Sequence, residues 1–195
     1  MAKLWNVASG TEVRSFSGHT DGILSVAISP DGKYILTGGR DNRAKLWDAT
    51  TGQLVRIFAG ATGYVNSVAF SPDGKALAAN SGNPHLIARL WGIEDGLLEK
   101  AIEDPNNPGY GAAKVSFSPD GQLLWAQGSL WRVKDGARLT SLESVLRKEA
   151  PPYAAASVSF SPDGKYLAFV QQEPATAADL GVNPYDAAQN VQGGV

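Results

Sequence analysis

The stretch Ile23-Leu24-Ser25-Val26-Ala27-Ile28-Ser29-Pro30-Asp31-Gly32-Lys33-Tyr34-Ile35-Leu36-Thr37 decides the fold. In its first six residues, large apolar side chains hold one parity and smaller ones mostly hold the other, the period of a strand. Ser29-Pro30-Asp31-Gly32 is then a turn with a mechanism. Proline presets φ at the first central position, aspartate can bond local amides, and glycine supplies the positive φ that sends the chain back. Lys33 to Thr37 is the return strand. The same hairpin recurs: Ser-Pro-Asp-Gly begins at Ser29, Ser71, Ser118 and Ser161, with gaps of 42, 47 and 43 residues. The alternating runs before the turns are 23–28, 65–70, 113–117 and 156–160, and they lack charge apart from Lys114. Both faces of these strands are therefore expected to be buried, with the small side chains of one sheet leaving room for the large ones of the next.

A second series is locked to the first. Leu-Trp recurs at Leu4-Trp5, Leu46-Trp47, Leu90-Trp91 and Leu130-Trp131, with tryptophan gaps of 42, 44 and 40 residues. Five residues after each tryptophan stands a glycine: Gly10, Gly52, Gly96 and Gly136. The spacing predicts a third strand carrying the tryptophan, a turn at the glycine, and a fourth strand such as Gln53 to Phe58, whose polar residues suit an outer edge. The unit is a four-stranded antiparallel meander of about forty residues, and a period of that length with four strands marks a propeller blade.

Within this pattern, Gly18-His19 to Trp47-Asp48 resembles a complete WD40 repeat, with Gly-His at its start, the Ser-Pro-Asp-Gly turn, Asp41 before the third strand and Trp-Asp at its end. The resemblance extends over roughly residues 1–170 with more degenerate copies. Gly60-Ala61 stands in place of Gly-His, Trp91-Gly92 and Trp131-Arg132 in place of Trp-Asp, and Gln127-Gly128-Ser129 is a shortened turn without aspartate. The resemblance implies an all-β fold of WD40-type β-propeller blades. Three full blades are expected at about 22–58, 65–102 and 113–142. Two complementary half-blades flank them, one from Lys3–Val7 and Glu12–Phe16, the other from Ala156–Phe160 and Lys165–Val170. Residues 171–195 hold three acids and no Lys or Arg, and read as a flexible tail or linker.

The repeat phase leaves three ways to complete a ring. The chain is a piece of a longer propeller, two chains exchange half-blades, or one chain closes on about four blades. Open blade edges would in any case offer self-association.

The resemblance also implies a structural hydrogen-bond network of His19, Thr37, Asp41 and Trp47. An indole N–H can only donate, so a buried one needs an acceptor. The rival reading of the same residues, a catalytic His–Asp pair, lacks an accompanying nucleophile elbow. No catalytic residue is assigned. No cofactor or metal is expected either: there are two histidines and no cysteine, and Asp31, Asp73, Asp120 and Asp163 each belong to a separate hairpin. His85 reads as a loop histidine. Gly38-Gly39-Arg40-Asp41-Asn42 leads into a strand and not a helix, so a phosphate-binding loop is excluded.

The formal net charge is −2 and no basic stripe is visible, which disfavours nucleic acid as a partner. No apolar run reaches membrane-spanning length. Met1-Ala2-Lys3-Leu4-Trp5 leads straight into a strand, unlike a signal peptide, and the chain is expected to be cytoplasmic. The resemblance implies a non-catalytic scaffold that binds other proteins through loops at one end of the blades, with Arg40, Tyr64 and Tyr110 as contact residues. Two further readings are a sensor or regulatory module of a larger multidomain protein, and a TolB-like propeller that binds a small ligand or accompanies a hydrolase.

Overall fold

A computed structural model of the chain describes residues 1–81, 86–105, 114–141 and 158–169. Among these residues the structure is all-β. Strands β3 (Ile23–Ile28), β4 (Tyr34–Gly39), β5 (Ala44–Asp48) and β6 (Leu54–Phe58) form the first four-stranded antiparallel meander. The second comprises β7 (Val65–Phe70), β8 (Ala76–Ser81), β9 (Leu86–Gly92) and β10 (Leu98–Glu103). The third comprises β11 (Ser116–Phe117), β12 (Leu123–Ala126), β13 (Ser129–Arg132) and β14 (Arg138–Ser141). Two two-stranded sheets flank them, β1 (Ala2–Trp5) with β2 (Glu12–Phe16), and β15 (Val158–Phe160) with β16 (Leu167–Phe169). The blades stand in chain order and do not close into a ring. The expected tail at 171–195, His85 and Tyr110 lie outside the described residues.

Each Ser-Pro-Asp-Gly turn is built alike. Gly32 has φ 73° and its N–H donates to the Ser29 carbonyl at 2.9 Å. The serine hydroxyl holds the turn at both ends: Ser29 Oγ donates to Asp31 Oδ1 at 2.7 Å and accepts the Tyr34 N–H at 2.9 Å. Asp31 also accepts the Lys33 N–H at 3.1 Å. The shortened turn between β12 and β13 works differently. Gln127 and Gly128 both have positive φ, at 46° and 74°, so a two-residue loop joins Ala126 directly opposite Ser129.

Successive blades pack face to face. Leu36 and Leu46 of the first sheet share one buried cluster with Val65, Val68, Leu77 and Trp91 of the second. Ala78 and Leu90 of the second share another with Val115, Phe117, Leu124 and Trp131 of the third. The backbones approach closely at Gly38: a Cβ there would lie 2.7 Å from both the Val65 carbonyl oxygen and Val65 Cγ1. Phe16 at the end of β2 tilts against Trp47 with ring centroids 6.1 Å apart, and Phe58 at the end of β6 against Trp91 at 5.9 Å.

Two expectations need correction. Both faces of the strand at 23–28 were expected to be buried. In β3 only Ile23, Ser25 and Ala27 are partly covered, while Leu24, Val26 and Ile28 are exposed. Alternation shows that a strand has two apolar faces, but a face is covered only where a neighbouring sheet lies against it. The strand expected over Lys3–Val7 is Ala2–Trp5. It stops there because Asn6 turns the chain, its Oδ1 accepting the N–H groups of Ala8 and Ser9, each at 2.9 Å.

A latch between blades repeats along the outer strands. Four residues after three of the tight-turn glycines, Gly10, Gly52 and Gly96, stands a cation that reaches the corresponding turn of the next blade. Arg56 donates to the carbonyls of Asp95 and Glu94 at 2.9 and 3.0 Å. Lys100 donates to the Lys134 carbonyl at 2.6 Å, and the Arg14 stem lies against Gly52. These contacts satisfy carbonyls that the tight turns leave without a strand partner. Arg56→Met keeps the stem and removes both donors, and is expected to cost about 1 kcal/mol. Thermal unfolding would show this as a lowered Tm; an unchanged Tm would mean that the latch adds nothing.

Candidate functional site: a closed polar network beneath an Arg–Tyr pair

The polar cluster sits in the first full blade where the segment before β3 meets the β4–β5 turn. His19 Nδ1 lies 2.8 Å from Asp41 Oδ1, and His19 Nε2 lies 2.8 Å from Thr37 Oγ1. Trp47 Nε1–H donates to the same Thr37 Oγ1 at 2.8 Å. One consistent set of protons follows for a neutral imidazole. Nδ1–H donates to the carboxylate, Nε2 accepts the threonine hydroxyl, and the threonine oxygen accepts the indole N–H. The His19 and Asp41 side chains are 2% and 4% exposed. Gly39 is the floor of this cluster: a Cβ on it would lie 2.5 Å from His19 Nδ1. The structure thus brings together all four residues singled out in the sequence.

It adds a fifth, Lys45. Its side chain is buried, with Nζ 3.2 Å from Asp41 Oδ2 and donating to the Gly18 carbonyl at 2.5 Å. The signal for it was available. Lys45 and Trp47 share a parity in one strand, so they face the same side. Asp41 also accepts the Thr20 N–H at 3.2 Å. Burial is the strongest single influence on Asp41 and opposes its ionisation. The hydrogen bonds from His19, the Thr20 N–H and Lys45 together outweigh it and hold the carboxyl below its ordinary value of 3.8.

The cluster is closed chemically. Both imidazole nitrogens are occupied, and the carboxylate is saturated by an imidazole, an ammonium and an amide. Such a histidine has no free nitrogen with which to take a proton from a substrate. Among the described residues no group of three or more His, Cys, Asp or Glu could hold a metal ion, and no helix is long and apolar enough to cross a membrane.

On the surface Arg40, which lies between Gly39 and Asp41 in sequence, meets Tyr64. Arg40 follows β4, its N–H donating to the Gly22 carbonyl at 2.8 Å, and Tyr64 directly precedes β7 in the next blade. The guanidinium carbon lies 6.0 Å from the Tyr64 ring centroid, within cation–π range. Both residues are exposed. The third contact residue expected from the sequence, Tyr110, lies outside the described residues.

Residues 10–48 and 52–86 match the family model for the WD domain, G-beta repeat. The chain belongs to the WD40-repeat family. This WD40 chain is 42% identical over 146 residues to guanine nucleotide-binding protein subunit beta-5b of Danio rerio, an alignment covering 71% of this chain and 36% of that protein. It is 51% identical over 35 residues to transcription initiation factor TFIID subunit 5 of Caenorhabditis elegans, covering 18% of this chain and 5% of that protein. It is 49% identical over 39 residues to Protein groucho of Drosophila melanogaster, covering 20% of this chain and 5% of that protein. The WD40 chain therefore spans about a third of the first relative's length and a small part of the other two.

The third blade solves the same tryptophan problem with less. Trp131 Nε1–H donates to the Ala126 carbonyl at 3.1 Å. In the second blade Ala79 occupies the position of Thr37 and offers no hydroxyl. The full network belongs to the first full blade alone among the described residues.

Two outcomes are expected. Thr37→Val removes the hydroxyl that serves both Trp47 and His19 and leaves two buried polar groups unsatisfied, a loss of about 1–3 kcal/mol measurable by denaturant unfolding. The second concerns pH. The Asp41 carboxyl titrates lower in the folded chain than its ordinary 3.8. It therefore contributes stability above that pH and loses it as the pH falls below. Asp41→Asn should lower Tm most at neutral pH, and the gap to wild type should shrink as the pH drops below 3.8. A gap independent of pH would contradict the assigned charge state.

Proposed function

We propose that this chain is a non-catalytic WD40 scaffold that binds another protein through the loop end carrying Arg40 and Tyr64. The observation that carries this reading is the exposed Arg40–Tyr64 pair, which bridges two blades and lies next in sequence to Asp41 of the buried polar network. Arginine and tyrosine are the residue types in which interface energy concentrates. Their mutual contact pre-orders both side chains and so reduces the entropy lost on binding. Two of the relatives, the guanine nucleotide-binding protein subunit and the TFIID subunit, are by name parts of larger assemblies, which agrees with an interaction role.

The closed state of the His19 cluster supports the absence of catalysis at that place. A propeller-like scaffold does not by itself confer activity, and the polar groups near the loop end are spent on holding loops.

Arg40→Ala/Tyr64→Ala is expected to weaken recovery of the bound protein about tenfold or more in quantitative affinity purification, with Tm held within a degree or two of wild type. Recovery of every partner at wild-type levels would reject this face as the binding surface.

A further inference from the structure

The second full blade keeps the hydrogen-bond donors of the first and lacks their acceptors. In the first, the Trp47 N–H reaches Thr37 Oγ1, and the buried Lys45 reaches Asp41 and the Gly18 carbonyl. Trp91 and Arg89 hold the same two places in β9, Arg89 pairing with Ala79 as Lys45 pairs with Thr37. Ala79 stands in place of Thr37, and Ala61 in place of His19. Trp91 is 4% exposed, and among the described residues nothing accepts its indole N–H. Arg89 is half-buried, and its Nη1 is shielded from solvent without a partner.

The chain has no acid at hand for Arg89. Between Asp48 and Glu94 the sequence holds one acid, Asp73. Asp73 sits in the turn after β7, at the far end of that strand from Gly60. There its Oδ1 accepts the Ser71 hydroxyl at 2.6 Å and the Lys75 N–H at 3.1 Å. Asp41 of the preceding blade is saturated within its own network. Asp104 pairs with Arg138 of the third blade at 3.0 Å, and among the described residues no carboxylate lies within ion-pair reach of Arg89. An arginine does not escape burial by losing its proton, so a shielded N–H of this kind calls for an anion.

There is also room for one. A Cβ on Gly18 would meet Trp47 Cη2 at 3.1 Å, whereas a Cβ on Gly60, at the same place before β7, would meet nothing within 4 Å. The segment before β7 thus stands clear where the segment before β3 presses on its tryptophan. Ala61 and Ala79 withdraw an imidazole and a hydroxyl from the same place. What remains is two donors on one face of one strand, because Arg89 and Trp91 are two residues apart in β9.

We propose that the second full blade binds a carboxylate between the Arg89 guanidinium and the Trp91 indole N–H, in the slot left by Ala61 and Ala79. A guanidinium presents parallel N–H groups that match the two oxygens of one carboxylate. One such fork with one indole N–H suits a monoanion with two acceptor oxygens. A phosphate group brings more charge and three acceptor oxygens, which this donor set would leave partly unmet. The bound carboxylate takes the part that Thr37 and Asp41 play in the first full blade. Its source is either a free small acid or a Glu or Asp side chain of a partner protein, and the recognising chemistry is the same for both. The site is separate from the Arg40–Tyr64 pair and stands even if that surface binds nothing.

The test follows the Trp91 indole N–H by proton–nitrogen NMR in the whole chain of 195 residues, the resonance being assigned by its loss in Trp91→Phe. Sodium acetate should shift this resonance saturably, and sodium chloride at equal ionic strength should not. Arg89→Met should abolish the shift. Arg89→Lys keeps the charge without the fork and should weaken binding about tenfold. Ala79→Thr supplies the hydroxyl that Thr37 supplies in the first full blade, and should weaken acetate binding in a chain that stays folded. Tighter binding of an end-blocked Gly-Glu-Gly peptide than of succinate would assign the carboxylate to a partner's side chain, and the reverse order to a free acid. A Trp91 resonance unmoved by acetate, succinate and the peptide would overturn the proposal. So would a shift that chloride reproduces, or one that persists undiminished in Arg89→Lys and Ala79→Thr.

Discussion

Face-to-face contact between successive blades is the constraint on which the rest of the structure depends. A single four-stranded meander exposes two apolar faces and cannot hide either by itself. The second sheet is covered on both, with Leu36 and Leu46 on one side and Val115 and Phe117 on the other. The contact is tight enough at Gly38 that no side-chain atom fits between β4 and β7. Small residues in the first strands, such as Ser67 and Ala69, are therefore as necessary as the large ones. They also carry hydrogen bonds between sheets: Ser25 Oγ accepts the Val68 N–H at 3.1 Å, and Ser67 Oγ accepts the Val115 N–H at 3.0 Å.

The polar network is a consequence of this packing. Trp47 is buried because Phe16 of the preceding sheet lies against it. Once buried, its N–H requires an acceptor, and Thr37 supplies one. His19, Asp41 and Lys45 then complete the chain of bonds and lock the loops on which Arg40 stands. Trp5 occupies the same place without a covering neighbour and remains exposed. The same dipeptide thus has opposite environments, and what differs is the adjacent sheet.

Much of this was legible in the sequence because it is local. The Ser-Pro-Asp-Gly turns, the strand phase and the four-strand period depend on neighbours within a few residues, and β2 falls at Glu12–Phe16, where the alternation puts it. His19, Thr37, Asp41 and Trp47 could be gathered by resemblance to one repeat. The remainder depends on partners that a strand's own pattern does not record, such as Gly18, 27 residues from Lys45, and Asp95, 39 residues from Arg56. Lys45 reads as an ordinary strand lysine until Gly18 and Asp41 are seen around it. Arg56 reads as a solvent-facing cation until the 94–95 turn of the next blade is placed beneath it. The exposure of Val26 was misread for the same reason, since a strand's own pattern carries no record of whether a neighbour covers it.

The central claim is that blades are held by their neighbours and not by their own ladders. Amide hydrogen exchange on Gly38→Ala tests this most directly, because the added methyl would press on the Val65 carbonyl of the next blade while leaving every ladder within β3–β6 intact in composition. The account predicts that protection falls together in β4 and β5 of the first full blade and in β7 and β8 of the second. Loss of protection confined to the first full blade, with β7 and β8 unchanged, would contradict it.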